Sequence, residues 1–241
     1  MGKNLIQQAR GKGGPRYRAP SFRYLGKVVY PSANKEGVVM DIVKCQGHDA
    51  PLLRVKYNDN TEGLMIAPEG IRVGDSVVID TNAALKNGNT LPLKNIAEGT
   101  LIYDIELMPG DGGKFVRVPG TFAKVLTQST KGVLVELPSK KQREFSPNCR
   151  ASIGIVAGAG RKEKPLLKAG TMFYKKKARN KLYPRVSGTS MNAVDHPFGN
   201  SRSSRKGSPT TISRNAPPGA KVGLIGARRT GRKKGKKVQI Q

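Results

Sequence analysis

The chain has 241 residues, enough for one large domain or two small ones, and carries 44 Lys and Arg against 16 Asp and Glu, a formal net charge of +28. Like charges in such excess repel one another in a compact state, so the composition requires a polyanion, with nucleic acid ahead of an anionic membrane surface. Its 29 Gly and 16 Pro, with no Trp and 5% aromatic residues, exclude a helical bundle and favour short strands, turns and extended tails. No run approaches the roughly 18 apolar residues of a membrane span. Met1-Gly2-Lys3-Asn4-Leu5 leads into no apolar core of signal-peptide type, and the protein is expected to be soluble and cytoplasmic.

The charge is unevenly spread. Residues 1–30 hold seven basic and no acidic residues, 31–100 seven against nine, 101–170 twelve against six, and 171–241 eighteen against one. A near-neutral body between two basic extensions follows from that distribution. Residues 1–33 read as the first extension. Gly11-Lys12-Gly13-Gly14-Pro15-Arg16-Tyr17-Arg18-Ala19-Pro20 has neither helical nor strand period. Its Arg residues suit phosphates, and Tyr17 or Phe22 suits stacking on a base.

Residues 34–82 turn to short strands. Gly37–Val43 is a β-branched run, Leu52–Tyr57 alternates before the turn Asn58-Asp59-Asn60, and Glu62–Ala67 and Asp75–Ile79 follow, with Gly70 and Gly74 between them. Four short strands at this spacing predict a small antiparallel barrel of OB-fold type. Residues 83–168 predict a second, SH3-like barrel. Its expected strands are Leu101–Leu107, Phe115–Val118, Phe122–Leu126, Gly132–Leu137 and Cys149–Val156, with a turn over Pro109–Gly113. From 169 to 241 there is no sustained period, only a short helix expected near Thr171–Asn180 within a glycine-rich basic extension.

Enzymatic motifs fail on spacing. Gly158-Ala159-Gly160-Arg161 lacks the third glycine of a dinucleotide fingerprint, and Gly113-Lys114 is followed by Phe115 where a phosphate-binding loop needs Ser or Thr. Both clusters read as tight turns. Cys45 and Cys149 form no disulfide framework. Cys45-Gln46-Gly47-His48 is half of a zinc site, for which the chain offers only Cys149 and His196 as further soft or imidazole ligands, so no metal and no cofactor are expected. His196 is the one titratable group in a conspicuous loop, beside Asp195, the single carboxylate of the last 71 residues. A catalytic His would want an orienting partner and a nucleophile or bound substrate, and adjacency in sequence does not itself bring Asp195 within reach; a hydrogen bond or stacking contact to RNA is the better reading.

The strong signal is cationic. Lys175-Lys176-Lys177 with Arg179 and Lys181, then Arg202, Arg205 and Lys206, then Arg228-Arg229 and Arg232-Lys233-Lys234 recur along a glycine-rich segment almost free of acid. Each phosphate contact releases counterions, so affinity is expected to fall steeply with salt.

Pro184-Arg185-Val186-Ser187-Gly188-Thr189-Ser190-Met191-Asn192-Ala193-Val194-Asp195-His196-Pro197-Phe198-Gly199 closely resembles the signature of the universal large-subunit ribosomal protein L-two family. Leu91–Ile96, the turn from Pro109 to Lys114, and Cys149–Gly154 resemble that family's landmarks in its order, and Gly14–Tyr24 resembles the amino-terminal arm of its archaeal branch. The resemblance implies a mainly β protein, an OB-fold barrel followed by an SH3-like barrel, with long tails penetrating RNA. It also implies primary binding to large-subunit rRNA near the peptidyl transferase centre, support of subunit association and tRNA placement, other ribosomal proteins as partners, and one copy per ribosome. A contact with small-subunit rRNA across the subunit interface is a further expectation, and Mg ions would be held mainly by the RNA. Bacterial members usually read His-Pro-His-Gly-Gly where this chain reads His196-Pro197-Phe198-Gly199-Asn200. Phe198 removes a second imidazole and offers a stacking face, against any mechanism needing two histidines. The expected rRNA-binding residues are Arg16, Arg18, Arg23, Arg150, Lys175, Lys176, Lys177, Arg179, Arg185, Met191, Asn192, His196, Phe198, Arg202, Arg205, Lys206, Arg228, Arg229, Lys233 and Lys234, and no catalytic residue is expected.

Overall fold

The β-branched run near residue 40 forms β1 (Lys35–Val43), which pairs antiparallel with both β2 (Leu52–Tyr57) and β4 (Ser76–Ile79); β3 (Glu62–Ile66) extends the sheet beyond β2. The computed structural model describes residues 2–18, 20–31, 34–129, 132–161, 163–202, 210–228 and 230. In β2 the alternation does what a strand with one wet face must do: Leu53, Val55 and Tyr57 turn inward while Arg54 and Lys56 face water. They meet Tyr30, Val39, Met65, Val77 and Ile79 in the first core. Gly37 lies where a Cβ would stand 2.7 Å from Val55 and 2.8 Å from the Lys56 carbonyl, so only glycine permits this strand approach.

The second half builds around β10 (Arg150–Ile153), which pairs antiparallel with β5 (Thr90–Pro92) and β6 (Leu101–Tyr103). From β6 the sheet continues through β7 (Ala123–Gln128), β8 (Val133–Glu136) and β9 (Gln142–Phe145), all antiparallel. Leu91, Ile102, Ile105, Val125, Val135, Phe145 and Ala151 belong to its core. A parallel pairing, Ile79 opposite Thr90, joins β4 to β5 and makes one ten-stranded order, β3-β2-β1-β4-β5-β10-β6-β7-β8-β9. A third apolar cluster, including Val28, Leu52, Ile66, Tyr103 and Val156, fills the junction of the halves. The body is mainly β, an OB-fold followed by an SH3-like barrel.

Two expected strands are cut short for one reason. Asp104 at φ 49° and Val116 at φ 56° occupy the left-handed region, which breaks a ladder. The strand from Leu101 therefore stops at Tyr103, and Phe115–Val118 is reduced to a single bridge between Ile105 and Phe115.

Beneath that break lie two buried carboxylates. Arg150 grips Glu106 through Nη2 at 2.8 Å and Nε at 3.1 Å, while the amides of Arg150, Gly110 and Gly112 donate to the same carboxylate. Burial pushes Glu106 up, but the Arg150 side chain and the backbone donors outweigh it and hold the carboxyl below its usual range. Asp104 has Arg117 Nε 3.2 Å away, yet its side chain is only 1% exposed, and burial pushes its carboxyl up to about 7. Native Asp104 thus keeps a proton between about pH 4 and pH 7 that the unfolded chain releases. Its contribution to stability is full below pH 4 and is lost as pH rises through 7, by a few kcal/mol. Melting temperatures of the free protein from pH 5 to 8 should fall with this slope, and Asp104→Asn should flatten it; a wild-type slope in that variant would rule Asp104 out as its source.

Residues 21–166, holding both barrels, form one compact unit, and the described residues of 1–20 and 167–230 form another. The N-terminal arm, expected to be without regular structure, contains α1 (Ile6–Gly11) and packs with the C-terminal extension: Lys3 N–H donates to the Val194 carbonyl at 2.8 Å, and Asn180 Nδ2 to the Arg18 carbonyl at 2.8 Å. The same unit holds α2 (Ala169–Lys177) and a parallel pair, β11 (Thr211–Ile212) with β12 (Leu224–Ile225). Among the described residues no helix is long and apolar enough to cross a membrane.

Candidate nucleic-acid interface

The terminal unit is organised by a small core in an otherwise polar segment. Phe198, Ile212 and Val222 are buried together, with Leu5 and Ala216 against them. Gly223 sits at φ 88° over the Phe198 ring, where a Cβ would come 2.9 Å from Cζ. Phe198 was expected to offer a stacking face; it is only 6% exposed and instead anchors the loop. An apolar ring in a chain segment short of apolar residues gains more by burial than by exposure.

Around that anchor the backbone folds on itself. The amides of Asp195 and His196 donate to the Asn192 carbonyl at 3.0 and 3.2 Å, Gly199 N–H to His196 O at 2.8 Å, and Asn200 N–H to Met191 O at 3.1 Å. Gly199 touches the Asn192 carbonyl so closely that a Cβ would overlap it. His196 accepts the Phe198 amide proton at Nδ1, 3.0 Å away, which leaves the ring's proton on Nε2. Its ring lies against Gly188, where a Cβ would stand 2.5 Å from Cε1. Lys3 Nζ is 3.7 Å from Asp195 Oδ1 in an exposed pair. With Nδ1 accepting, Nε2–H is the donor the ring presents.

Lys175, Lys176 and Lys177 occupy the last turn of α2, where cations complement the helix dipole. Lys175, Lys176, Arg179 and Arg185 are brought together in a cleft of about 550 Å³, along with Arg10, Lys181, Tyr17 and Tyr183. Among the described residues no acidic side chain lines it. Arg10 was missed in the sequence because α1 is only six residues long, below the length at which a helical period declares itself.

The other expected contacts are distributed differently. Arg16, Arg18, Asn192, Arg202 and Arg228 are exposed in the terminal unit and Met191 is half-buried there, while Arg23 is exposed in the barrel unit, its guanidinium 5.2 Å from the Phe22 ring centroid. Arg150, expected on RNA, turns inward to Glu106 and the Pro31 carbonyl, and its side chain is 16% exposed. A buried carboxylate held by three backbone donors needs a fixed cation more than a distant phosphate does. Arg205, Lys206, Arg229, Lys233 and Lys234 lie outside the described residues. Cys45 and Cys149 are buried free thiols, and no group of three or more metal-ligating side chains occurs among the described residues.

A two-barrel β body joined in sequence to a cleft of six cationic side chains defines a protein built to hold a polyanion. The family profile described as "Ribosomal Proteins L2, C-terminal domain" matches residues 86–221, more than half of the chain. The chain is 47% identical to the large ribosomal subunit protein uL2 of Methanosphaera stadtmanae, covering 97% of this chain and 100% of that one. It is 50% identical to the protein of the same name from Archaeoglobus fulgidus, over 96% of this chain and 99% of that one. The chain belongs to the ribosomal protein L2 family, in its archaeal-type branch.

Proposed function

We propose that this protein is a non-enzymatic structural component of the large ribosomal subunit, binding rRNA near the peptidyl transferase centre. The observation that carries the reading is the cleft of six cationic side chains, with no acidic one among the described residues that line it, beside a tightly folded loop that bears the family's signature residues. In this reading residues 34–82 and 83–168 are the two barrel modules and 1–33 and 169–241 the flanking extensions; 21–31 pack with the barrels, Val28 and Tyr30 entering their cores, and the remainder, with Arg23, pins RNA. Arg16, Arg18, Arg23, Lys175, Lys176, Lys177, Arg179, Arg185, Arg202 and Arg228 neutralise phosphates, while Met191, Asn192 and His196 touch sugars or bases. The protein then works in the cytoplasm, one copy per ribosome, with other ribosomal proteins and small-subunit rRNA as further neighbours. It supports subunit association, tRNA binding and peptide-bond formation by placing RNA.

Competition binding tests this directly. Folded large-subunit rRNA should outcompete duplex DNA, and changing Lys175, Lys176 and Lys177 to Ala should make the salt dependence shallower by roughly 2–3 in log–log slope. A preference for duplex DNA would sink the ribosomal reading. The rival role, His196 as general base, is separated by reconstituted subunits carrying His196→Ala. Fully assembled particles should form peptide bonds at the normal rate, whereas a slowed rate on such particles would favour catalysis.

A further inference from the structure

We propose that the terminal unit captures an unpaired RNA strand in two adjoining clefts, its phosphates in one and a single unstacked base in the other. The inference rests on the ribosomal reading and goes beyond it by naming the form of RNA and the side chains that select it. The cationic cleft shares Arg10, Leu182 and Arg185 with a second cleft of about 540 Å³, so the two meet across those three side chains. Both volumes fall in the range of small-ligand sites. A paired and stacked duplex does not fit into either, whereas one nucleotide does.

The two clefts differ in chemistry as a backbone differs from a base. In the first, Arg and Lys side chains with Tyr17 and Tyr183 offer charge and ring faces. In the second, Ile6, Pro184, Val186 and Met191 supply apolar walls, and the polar groups include Asp195 and His196. His196 accepts from the Phe198 amide at Nδ1, so Nε2–H is its donor. Asp195 is acceptor-only when ionised. A base with an exocyclic amine and a neighbouring ring acceptor, such as adenine, satisfies both groups. Uracil can give its N3–H to Asp195 and a carbonyl to His196, but its single ring covers less of the apolar walls than a purine does, and the choice of base rests on that area. Arg10 and Arg185, on the shared wall, are placed for the phosphate that joins the base to the strand.

The full-length protein should be titrated with fluorescent hexaadenylate, hexauridylate and a short RNA duplex. Hexaadenylate is expected to bind about tenfold tighter than hexauridylate or the duplex, and Arg10→Gln or Leu182→Glu should weaken it about tenfold. Asp195→Asn should weaken both oligonucleotides, since each donates to the carboxylate, and leave the adenylate preference in place; Arg10→Gln and Asp195→Asn alter side chains outside the buried core, which keeps the test valid if Leu182→Glu misfolds. Equal binding of the two oligonucleotides, with these variants unchanged, overturns the proposal; if large-subunit rRNA is still preferred over duplex DNA, the ribosomal reading survives that result. Loss of the rRNA preference as well would remove both.

Discussion

Glu106→Ala is expected to destabilise the barrel unit by about 3–5 kcal/mol, the cost of leaving a buried charge without its partner. For a chain of this length that lowers the melting temperature by roughly 10 °C. Arg150 would lose both contacts to Oε1, and the amides of Gly110, Gly112 and Arg150 would lose their acceptor at once. These amides set a limit on rescue. A double change, Glu106→Leu with Arg150→Met, removes the unpaired charge but leaves the three backbone donors, so it should recover only part of the loss. Full recovery would mean that the turn from Pro109 to Gly113 does not depend on the carboxylate. The sign with pH is opposite to that of Asp104. The carboxyl of Glu106 is held low, so its contribution is present above the usual carboxylate range and fades as pH falls through its lowered value.

Phe198→Ala should have an effect of similar size, confined to the terminal unit. Truncating a buried aromatic costs about 3–5 kcal/mol, and among the described residues the cluster it leaves has Ile212 and Val222 as its further buried members. Amide exchange over residues 191–200 should quicken by on the order of 10²–10³, because the turns around Asn192 and His196 depend on that anchor. The amides of β2 should be unaffected. If exchange in the loop stays at the wild-type rate, the loop is held by its own hydrogen bonds and Phe198 is dispensable to it.

The barrels were legible where the pleat writes itself into the sequence. Gly37–Val43 and Leu52–Tyr57 carry β-branched or alternating residues, and both became strands close to the expected limits. β5 and β9 were not legible. Thr90-Leu91-Pro92 is three residues long and wholly buried, and Gln142-Arg143-Glu144-Phe145 buries only its last side chain. Each depends on its neighbours in the sheet more than on its own pattern. The left-handed turns at Asp104 and Val116 were hidden for another reason: a non-glycine residue at positive φ is held by its surroundings.

The candidate site was half legible. Charge picked out Lys175, Lys176, Arg179 and Lys181, and the signature running from Pro184 to Gly199 picked out Arg185 and the loop. Arg10 joined them only through the fold, since the pairing of Lys3 with Val194 and of Arg18 with Asn180 spans most of the chain and leaves no periodic trace. Phe198 shows the opposite failure. Its exposure was inferred from a neighbouring motif, whereas Ile212 and Val222, more than ten residues further on, decide that it is buried.

Chemical footprinting of large-subunit rRNA with and without the full-length protein reads the proposed contact itself. Protections should cluster in unpaired large-subunit segments near the peptidyl transferase centre and weaken when Lys175, Lys176, Arg179 and Arg185 are changed to Ala. Protections that are absent, or that persist unchanged in that variant, would contradict it.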